Sequence, residues 1–415
     1  MKKLLSILLS IVLLTSLASV SFADEALSGN LVYYSSWNPT ESQATVLTAA
    51  AEEFMQLNPG VKIEFVFSGR DLNKTLRTLV ENGTQVDMFD MNADNIMSTF
   101  PDLCAPVNEY LDDVYPTTEG KPYNECVMSA FLDLAASVGG GNVHYVPYIP
   151  QSQMFFYNRE IFEEVGVTAP KTWNDFLAVC EAIKQAGYIP LTEDSTRALS
   201  MLGYHINRVK GKEFAMQLVK DPSLWSDEGV VRVLNDYKEL ADKGYFADNV
   251  LTNQNPAAMQ EMVLGGQIAM FLNGTWMPNE TKASNPDFKW GAFAYPAVEN
   301  GVDGTESTAF GSYGIVTTNL CKSPDAAFAF AAFVTTGKYD QMFCDVTQSI
   351  PMGVDASWPA NLSDVKVVLD ATTNRYLAHL EIRQGNETEI INSAFINLIG
   401  GEYTVDEFLA AVQGK

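Results

Sequence analysis

The spacing of apolar residues switches repeatedly along the chain between a short, strand-like run and a helical period. Leu31, Val32, Tyr33 and Tyr34 form a β-prone run that ends at Ser35, Ser36, Trp37, Asn38 and Pro39. Beyond it Val46, Leu47, Ala50, Phe54 and Leu57 recur at helical spacing, with Thr40 and Gln43 in capping-box positions at the start. Asn58-Pro59-Gly60 stops this helix. Residues 61–67 then alternate as a half-buried strand does. A second helix is predicted over 72–81, closed by Asn82-Gly83, and an apolar strand over 86–90. Strand, helix, strand, helix, strand is the order of a parallel sheet covered by helices, so the pattern predicts an α/β fold.

The pattern resumes after the turn Gly139-Gly140-Gly141. Residues 145–148 and 154–157 read as two strands interrupted at Pro150. A helix starts at Thr172, with Asp175 as its box partner and Phe176, Val179, Cys180 and Ile183 on one face. Further helices are predicted over 213–219 and 230–243, and a strand over 267–272 that runs into Asn273-Gly274-Thr275-Trp276. Pro324 takes the favoured first position of an Ala- and Phe-rich helix. Thr404 and Glu407 cap the last one. No internal repeat or low-complexity linker breaks the series.

The first residues fit a different purpose. Lys2 and Lys3 precede an apolar run over 4–17, and Ser21-Phe22-Ala23 places small residues where a signal peptidase reads. The run is shorter than the roughly 20 residues of a bilayer span. A signal peptide over 1–23, cleaved after Ala23, is therefore expected. No Cys stands near that site for lipid attachment, which points to a free periplasmic or extracellular protein. Residues 24–415 are enough for two cores, because single cores stop growing near about 250–300 residues.

Charge narrows the partners. With 51 Asp and Glu against 26 Lys and Arg, the net charge of −25 repels phosphate backbones and argues against nucleic acid. In an oxidising compartment, nearness in sequence suggests the pairs Cys104–Cys126 and Cys321–Cys344, leaving Cys180 over. The three histidines, His144, His205 and His379, are far apart and outside any metal-binding motif, so neither a metal nor another cofactor is expected. Serine-hydrolase and phosphate-loop motifs are missing too. A glycosidase, which needs only two carboxylates about 5–10 Å apart, stays open as an alternative of another class, with Asp90 and Asp94 as its pair.

Several segments, taken in order, resemble the family 1 extracellular solute-binding proteins, the sugar receptors similar to maltose-binding protein. They are Phe54-Met55-Gln56-Leu57-Asn58-Pro59-Gly60-Val61-Lys62-Ile63, Val86-Asp87-Met88-Phe89-Asp90, Phe156-Tyr157-Asn158-Arg159-Glu160 with Pro170-Lys171-Thr172-Trp173, Gly266-Gln267-Ile268-Ala269-Met270 with Asn273-Gly274-Thr275-Trp276, and Tyr403-Thr404-Val405-Asp406-Glu407. The resemblance covers nearly all of the chain beyond residue 23. It implies a two-lobed periplasmic-binding-protein fold of type II, each lobe a mixed or parallel sheet flanked by helices, with the ligand between them. Crossovers are expected near Tyr148, Asn273 and Tyr313, giving one lobe from 24–148 plus 274–313 and the other from 149–273 plus 314–415. It further implies a monomer that carries a mono- or oligosaccharide to the permease subunits of an ABC importer, closing on it about a hinge. A polyamine or peptide is the alternative solute.

A pyranose shows aromatic plates its C–H faces and shows carboxylates, amides and Arg its hydroxyl edge. Trp37, just beyond the first strand, either stacks on sugar or packs on its lobe. Glu41 faces the cleft or favours its helix N-terminus, and Arg70 either braces Glu41 or touches the ligand. Asp90, Asn92 and Asp94 form a polar cluster after a buried strand. Asp94 matches an acidic sugar-contacting position of the family, its other reading being a helix cap. Gln151 stands where the maltose receptor has a carboxylate, and Gln153 shares its strand face. Trp276, following Asn273, matches a position that stacks on sugar. Gly311 and Tyr313 mark the third crossover, where Gly allows close approach. Trp358 forms a lid or packs. Thr388 stands near the C-terminal stacking Trp of the maltose receptor, so that subsite is expected to differ.

Overall fold

The computed structural model describes residues 26–218, 220–377 and 387–414, so the expected signal peptide lies outside the described residues. The chain opens with β1 (Ser28–Ser35), α1 (Ser42–Leu57), β2 (Gly60–Phe67), α2 (Leu72–Glu81) and β3 (Met88–Asn92), in the predicted order. β1 pairs in parallel with β2 and with β3. The apolar stripe of α1 follows its predicted spacing through Val46, Leu47, Ala50 and Phe54, all buried, whereas Leu57 at the last helical position is exposed. The expected capping box is absent. Glu41 is the N-cap, and its carboxylate accepts instead from the Asn38 backbone N–H and side-chain amide.

Three helices, α3 (Ala93–Thr99), α4 (Tyr123–Cys126) and α5 (Ser129–Val138), lead to β4 (Val146–Asn158). The two strands expected on either side of Pro150 are thus one. Proline has no N–H for a ladder, and β4 accommodates it with a register shift between Tyr148 and Pro150 against its neighbour. Ile149, at the break, has φ +46°, a costly conformation for a β-branched residue.

Then come α6 (Arg159–Val165), α7 (Trp173–Gln185), β5 (Ile189–Thr192), α8 (Leu199–Lys210), α9 (Lys212–Leu218), α10 (Glu228–Asp242), α11 (Ala257–Gly265), β6 (Ile268–Gly274) and α12 (Met277–Thr281). β7 (Trp290–Phe293), β8 (Ser307–Thr317), α13 (Pro324–Thr335), α14 (Gly337–Thr347), α15 (Ser363–Asp370), β9 (Asn374–Leu377), α16 (Glu387–Ile399) and α17 (Val405–Val412) complete it. The capping boxes at Thr172 and Thr404 are closed in both directions. Among the described residues the strands run β2-β1-β3-β8-β4-β6-β5, with β7 on β4 and β9 on β8.

Two hydrophobic cores fill the interior: one covers β1, β2 and β3 and continues to Phe156, Phe271 and Trp290 on one face of β4, β6 and β7, and the other packs α7, α8, α10 and α16 against β5 and the opposite face of β6. β8 joins them: residues 313–317 pair with β3 of the first lobe, and residues 307–310 pair with β9 beside the second core. β4 runs antiparallel beside β8 through the same passage. This arrangement corrects the expected allocation of segments after Asn273. β7 pairs with the end of β4, and Tyr295 stacks on Tyr204 of α8, so this part of 274–313 builds the second lobe. Conversely α13 and α14 pack on α1, with Phe330 against Tyr33 and Phe54, so they build the first. The chain returns to the first lobe along β8 and goes back after α14, with Asp364 of α15 bonding Arg159 and the Ala292 N–H, and with the tail helices α16 and α17 packed on α10.

The expected disulfides are also corrected, since all five cysteines are free. Each thiol follows its own backbone: Cys104 donates to the Phe100 carbonyl and Cys126 to that of Thr118. Burial pushes the Cys104 thiol up to about 12 and Cys321 up to about 11. His205 is a core residue, held between the Tyr295 hydroxyl and Asp236. Among the described residues no helix is long and apolar enough to cross a membrane.

Candidate ligand cleft

A cleft of about 710 Å³ lies where the loops after β1, β3, β5 and β6 meet the paired strands β4 and β8. Ten of the sequence-predicted residues line it: Trp37, Glu41, Arg70, Asn92, Gln151, Gln153, Asn273, Trp276, Gly311 and Tyr313. They do not do so in equal condition.

On the first-lobe side the groups are matched with one another. The Trp37 indole N–H donates to the Tyr148 hydroxyl at 2.6 Å, its ring lies 4.3 Å from that of Tyr313, and the Arg70 guanidinium sits 4.4 Å from its centroid. Only 4% of Trp37 is exposed, so packing has taken this side chain. Arg70 braces Glu41 through two bonds, at 2.8 and 3.2 Å, and also donates to the Ser36 carbonyl. The side-chain oxygen of Asn92 caps α3 by accepting from the Asp94 N–H. Ser349 is different: it is buried on the cleft wall, and its hydroxyl has no hydrogen-bond partner.

Trp276 is half-buried and lies against the backbone that precedes it. A Cβ on Gly274 would stand 2.1 Å from the indole, so only glycine lets the ring lie there. The Asn273 side chain fixes the turn by accepting from the Gly274 N–H at 2.7 Å. Gln151 and Gln153 project from the same face of β4, with Gly311 opposite Gln151 in the ladder.

The second-lobe side adds residues that sequence reasoning missed: Glu193, Asp194 and Arg197, with Glu280 from α12. Glu193 and Asp194 follow the four-residue strand β5, whose Pro190 hides it from a propensity reading. The visible signal was two acids between a short apolar run and the helical spacing of α8. Both are buried, at 2% and 1% exposure. The Glu193 carboxyl accepts from the Asp194 N–H at 2.8 Å, and that of Asp194 accepts from Thr196 N and Oγ1 at 2.9 and 2.7 Å. Among the described residues, Oε2 of Glu193 and Oδ2 of Asp194 have no hydrogen-bond partner. Burial, and then the charge of Asp194, push the Glu193 carboxyl well above its usual range. Burial among the cleft walls also raises Glu280, although its side chain reaches solvent, while Arg197 and Arg70 oppose the rise.

Three predicted residues do not line the cleft. Asp90 is wholly buried in β3 and accepts from the Ser36 N–H and hydroxyl at 3.0 and 2.8 Å; burial raises its carboxyl. Asp94 lies in the first turn of α3, within electrostatic reach of Tyr145. The candidate glycosidase pair Asp90–Asp94 is therefore not on the cleft wall. Trp358 is half-buried on the first core, with the Lys366 ammonium 5.7 Å from its ring. Thr388 lies in the first turn of α16, also outside the lining. Among the described residues no group of three or more His, Cys, Asp or Glu is placed to hold a metal ion.

A family model described as bacterial extracellular solute-binding protein matches residues 37–341. The chain belongs to this family. Members bind solutes and are not enzymes as a class. The chain is 25% identical over 218 residues to the multiple sugar-binding protein of Streptococcus mutans serotype c, a match covering 50% of each. It is 24% identical over 258 residues to a binding protein of Brucella abortus, covering 60% of this chain. The chain thus spans 59% of that relative's length and 50% of the streptococcal protein's. Among solved structures, apo RafE from Streptococcus pneumoniae superposes with a TM-score of 0.75 at 17% identity, over 94% of this chain and 97% of RafE. The GacH receptor of Streptomyces glaucescens, solved unliganded and with acarbose, gives 0.64 at 20% identity, over 94% and 97%. At these identities the likeness is one of fold: the solute-binding protein has the two-lobed α/β architecture.

Proposed function

We infer that this solute-binding protein captures a carbohydrate in the cleft and delivers it to the permease subunits of an ABC importer. The observation that carries the reading is the open Trp276 ring, laid flat by Gly274 beside the amides of Gln151 and Gln153. An apolar plate next to donors and acceptors suits the face and edge of a pyranose. The sugar-binding names of the relatives support this reading. β4 and β8 both pass from lobe to lobe beside the cleft, which suits closure about Ile149 and Tyr313. The protein acts as a binder without catalysis, as a monomer, outside the cytoplasm after export.

The test is a thermal-shift screen against neutral mono- and oligosaccharides, polyamines and peptides. A ligand that binds only the folded state adds about 2.7 kcal/mol at a hundred times its dissociation constant. Stabilisation by a sugar that disappears in Trp276→Ala is the expected result. Stabilisation by a peptide or polyamine alone would sink the carbohydrate reading. Sugar turnover under sensitive product detection would sink the claim of binding without catalysis.

A further inference from the structure

We propose that Glu193 and Asp194 act as a matched donor and acceptor that read two adjacent hydroxyls of a neutral sugar, with Glu193 supplying the proton. This rests on the carbohydrate reading and makes it more specific. The observation is a pair of consecutive carboxyl side chains on the cleft wall, both almost fully buried, each with one oxygen that has no hydrogen-bond partner among the described residues. Leaving a buried polar atom unsatisfied is costly, and such atoms in a concave site call for an occupant.

Charge decides what that occupant is. Two adjacent buried carboxyls do not both ionise readily. Among the described residues the nearest cation is the Arg197 guanidinium, 3.9 Å from Oδ2 of Asp194, so the acceptor role falls to Asp194. Among the described residues no cation acts on Glu193. Its other titratable neighbour, Tyr237 of α10, is itself held neutral by burial. Burial raises Glu193 in the same direction. Protonated on Oε2, Glu193 donates; Asp194 Oδ2 accepts. A hydroxyl both donates and accepts, so two neighbouring hydroxyls satisfy the pair, whereas an ammonium has only donors and leaves the Glu193 proton opposed. The wall therefore favours a neutral polyol over a polyamine or an amino sugar, despite its acidic composition.

Calorimetric titration of the full chain separates these roles. The probes are stachyose, xylotetraose and chitotetraose as neutral sugars, with spermidine and glucosamine as cations. The expected result is binding of a neutral sugar that survives in Glu193→Gln, whose amide donates in place of the acid. In Glu193→Leu, which fills the space without a donor, affinity falls at least about tenfold, as for a buried hydrogen bond left open. Unfolding curves of both variants establish that each is folded. Wild-type affinity in both would mean that water, not ligand, meets these oxygens, and would overturn the proposal while leaving the carbohydrate reading intact. Loss in Glu193→Gln as deep as in Glu193→Leu would show a charged Glu193 and overturn the donor assignment. Binding of a cation with none of the sugars overturns the neutral-ligand assignment. If no probe binds, or sugar affinity is untouched by Trp276→Ala, the fault lies with the broader reading.

Discussion

The two sides of the cleft contain the same residue types in opposite states. On the first-lobe side an aromatic ring, an acid and an arginine meet one another: Trp37 bonds Tyr148 and lies on Tyr313, and Glu41 is held by Arg70. On the second-lobe side Glu193 and Asp194 each keep an oxygen without a hydrogen-bond partner among the described residues, and Arg197, with a largely exposed side chain, makes only a loose ion pair with Asp194 at 3.9 Å. Residue type alone would rank the first side as the better sugar site. Partner accounting reverses the ranking, because a group already satisfied gains little from a ligand, whereas one left open gains a whole hydrogen bond.

Exchanging the two tryptophans tests this contrast most severely. Trp37→Ala should cost about 3–5 kcal/mol of folding stability, the usual range for truncating a buried Trp. Denaturant unfolding reads it, and a loss below about 1 kcal/mol would mean that Trp37 is not the packed residue described. Trp276→Ala should leave stability nearly unchanged and weaken sugar binding by about 2 kcal/mol, near thirtyfold, as for a stacking anchor. Calorimetry checks it, and the reverse pattern in the two variants would undo the comparison.

A smaller effect concerns the support of Ser349, the unpartnered hydroxyl on the first-lobe side. The Asp340 carboxyl accepts from the Met352 and Gly353 N–H groups, both at 2.8 Å, and burial pushes it up to about 6. The folded state therefore holds this proton to higher pH than the unfolded chain does. Its contribution is complete below the unfolded carboxyl value near about 4 and is lost as pH rises through about 6. Asp340→Asn should remove about 1–2 kcal/mol of this dependence, seen as a flatter melting temperature between about pH 4 and 6. An unchanged slope would place the titration elsewhere. The smallest effect is expected for Arg70→Ala, since its ion pair with Glu41 leaves 49% and 29% of the side chains exposed. Loss of that pair should cost no more than about 1 kcal/mol in unfolding measurements. A larger loss would mean that the cover over Trp37 depends on it.

Much of this was legible before the structure. Apolar spacing alone located α1, β2 and α2, and the boxes at Thr172 and Thr404 form as their residue types require. These features are local, within one turn or one pleat, so sequence neighbours carry all the information. Arg70 bracing Glu41 was one of the open readings, and the structure has that ion pair. The strand β5 was not legible, because four residues containing a proline carry too little pattern.

Sequence by itself determined the alternation of strands and helices, the two-core size of the chain, the family and the residue types gathered at strand ends. Tertiary structure alone decided which segments share a lobe, since β8 carries the chain back across the sheet where no local signal marks a direction. It also decided which polar groups remain open. Asp90 and Glu193 look alike along the chain, and among the described residues each keeps one buried oxygen without a hydrogen-bond partner, yet Asp90 lies inside β3 bonded to Ser36 while Glu193 stands on the cleft wall. Whether a side chain is satisfied depends on atoms tens or hundreds of residues away, and that partner exists only once the chain has folded.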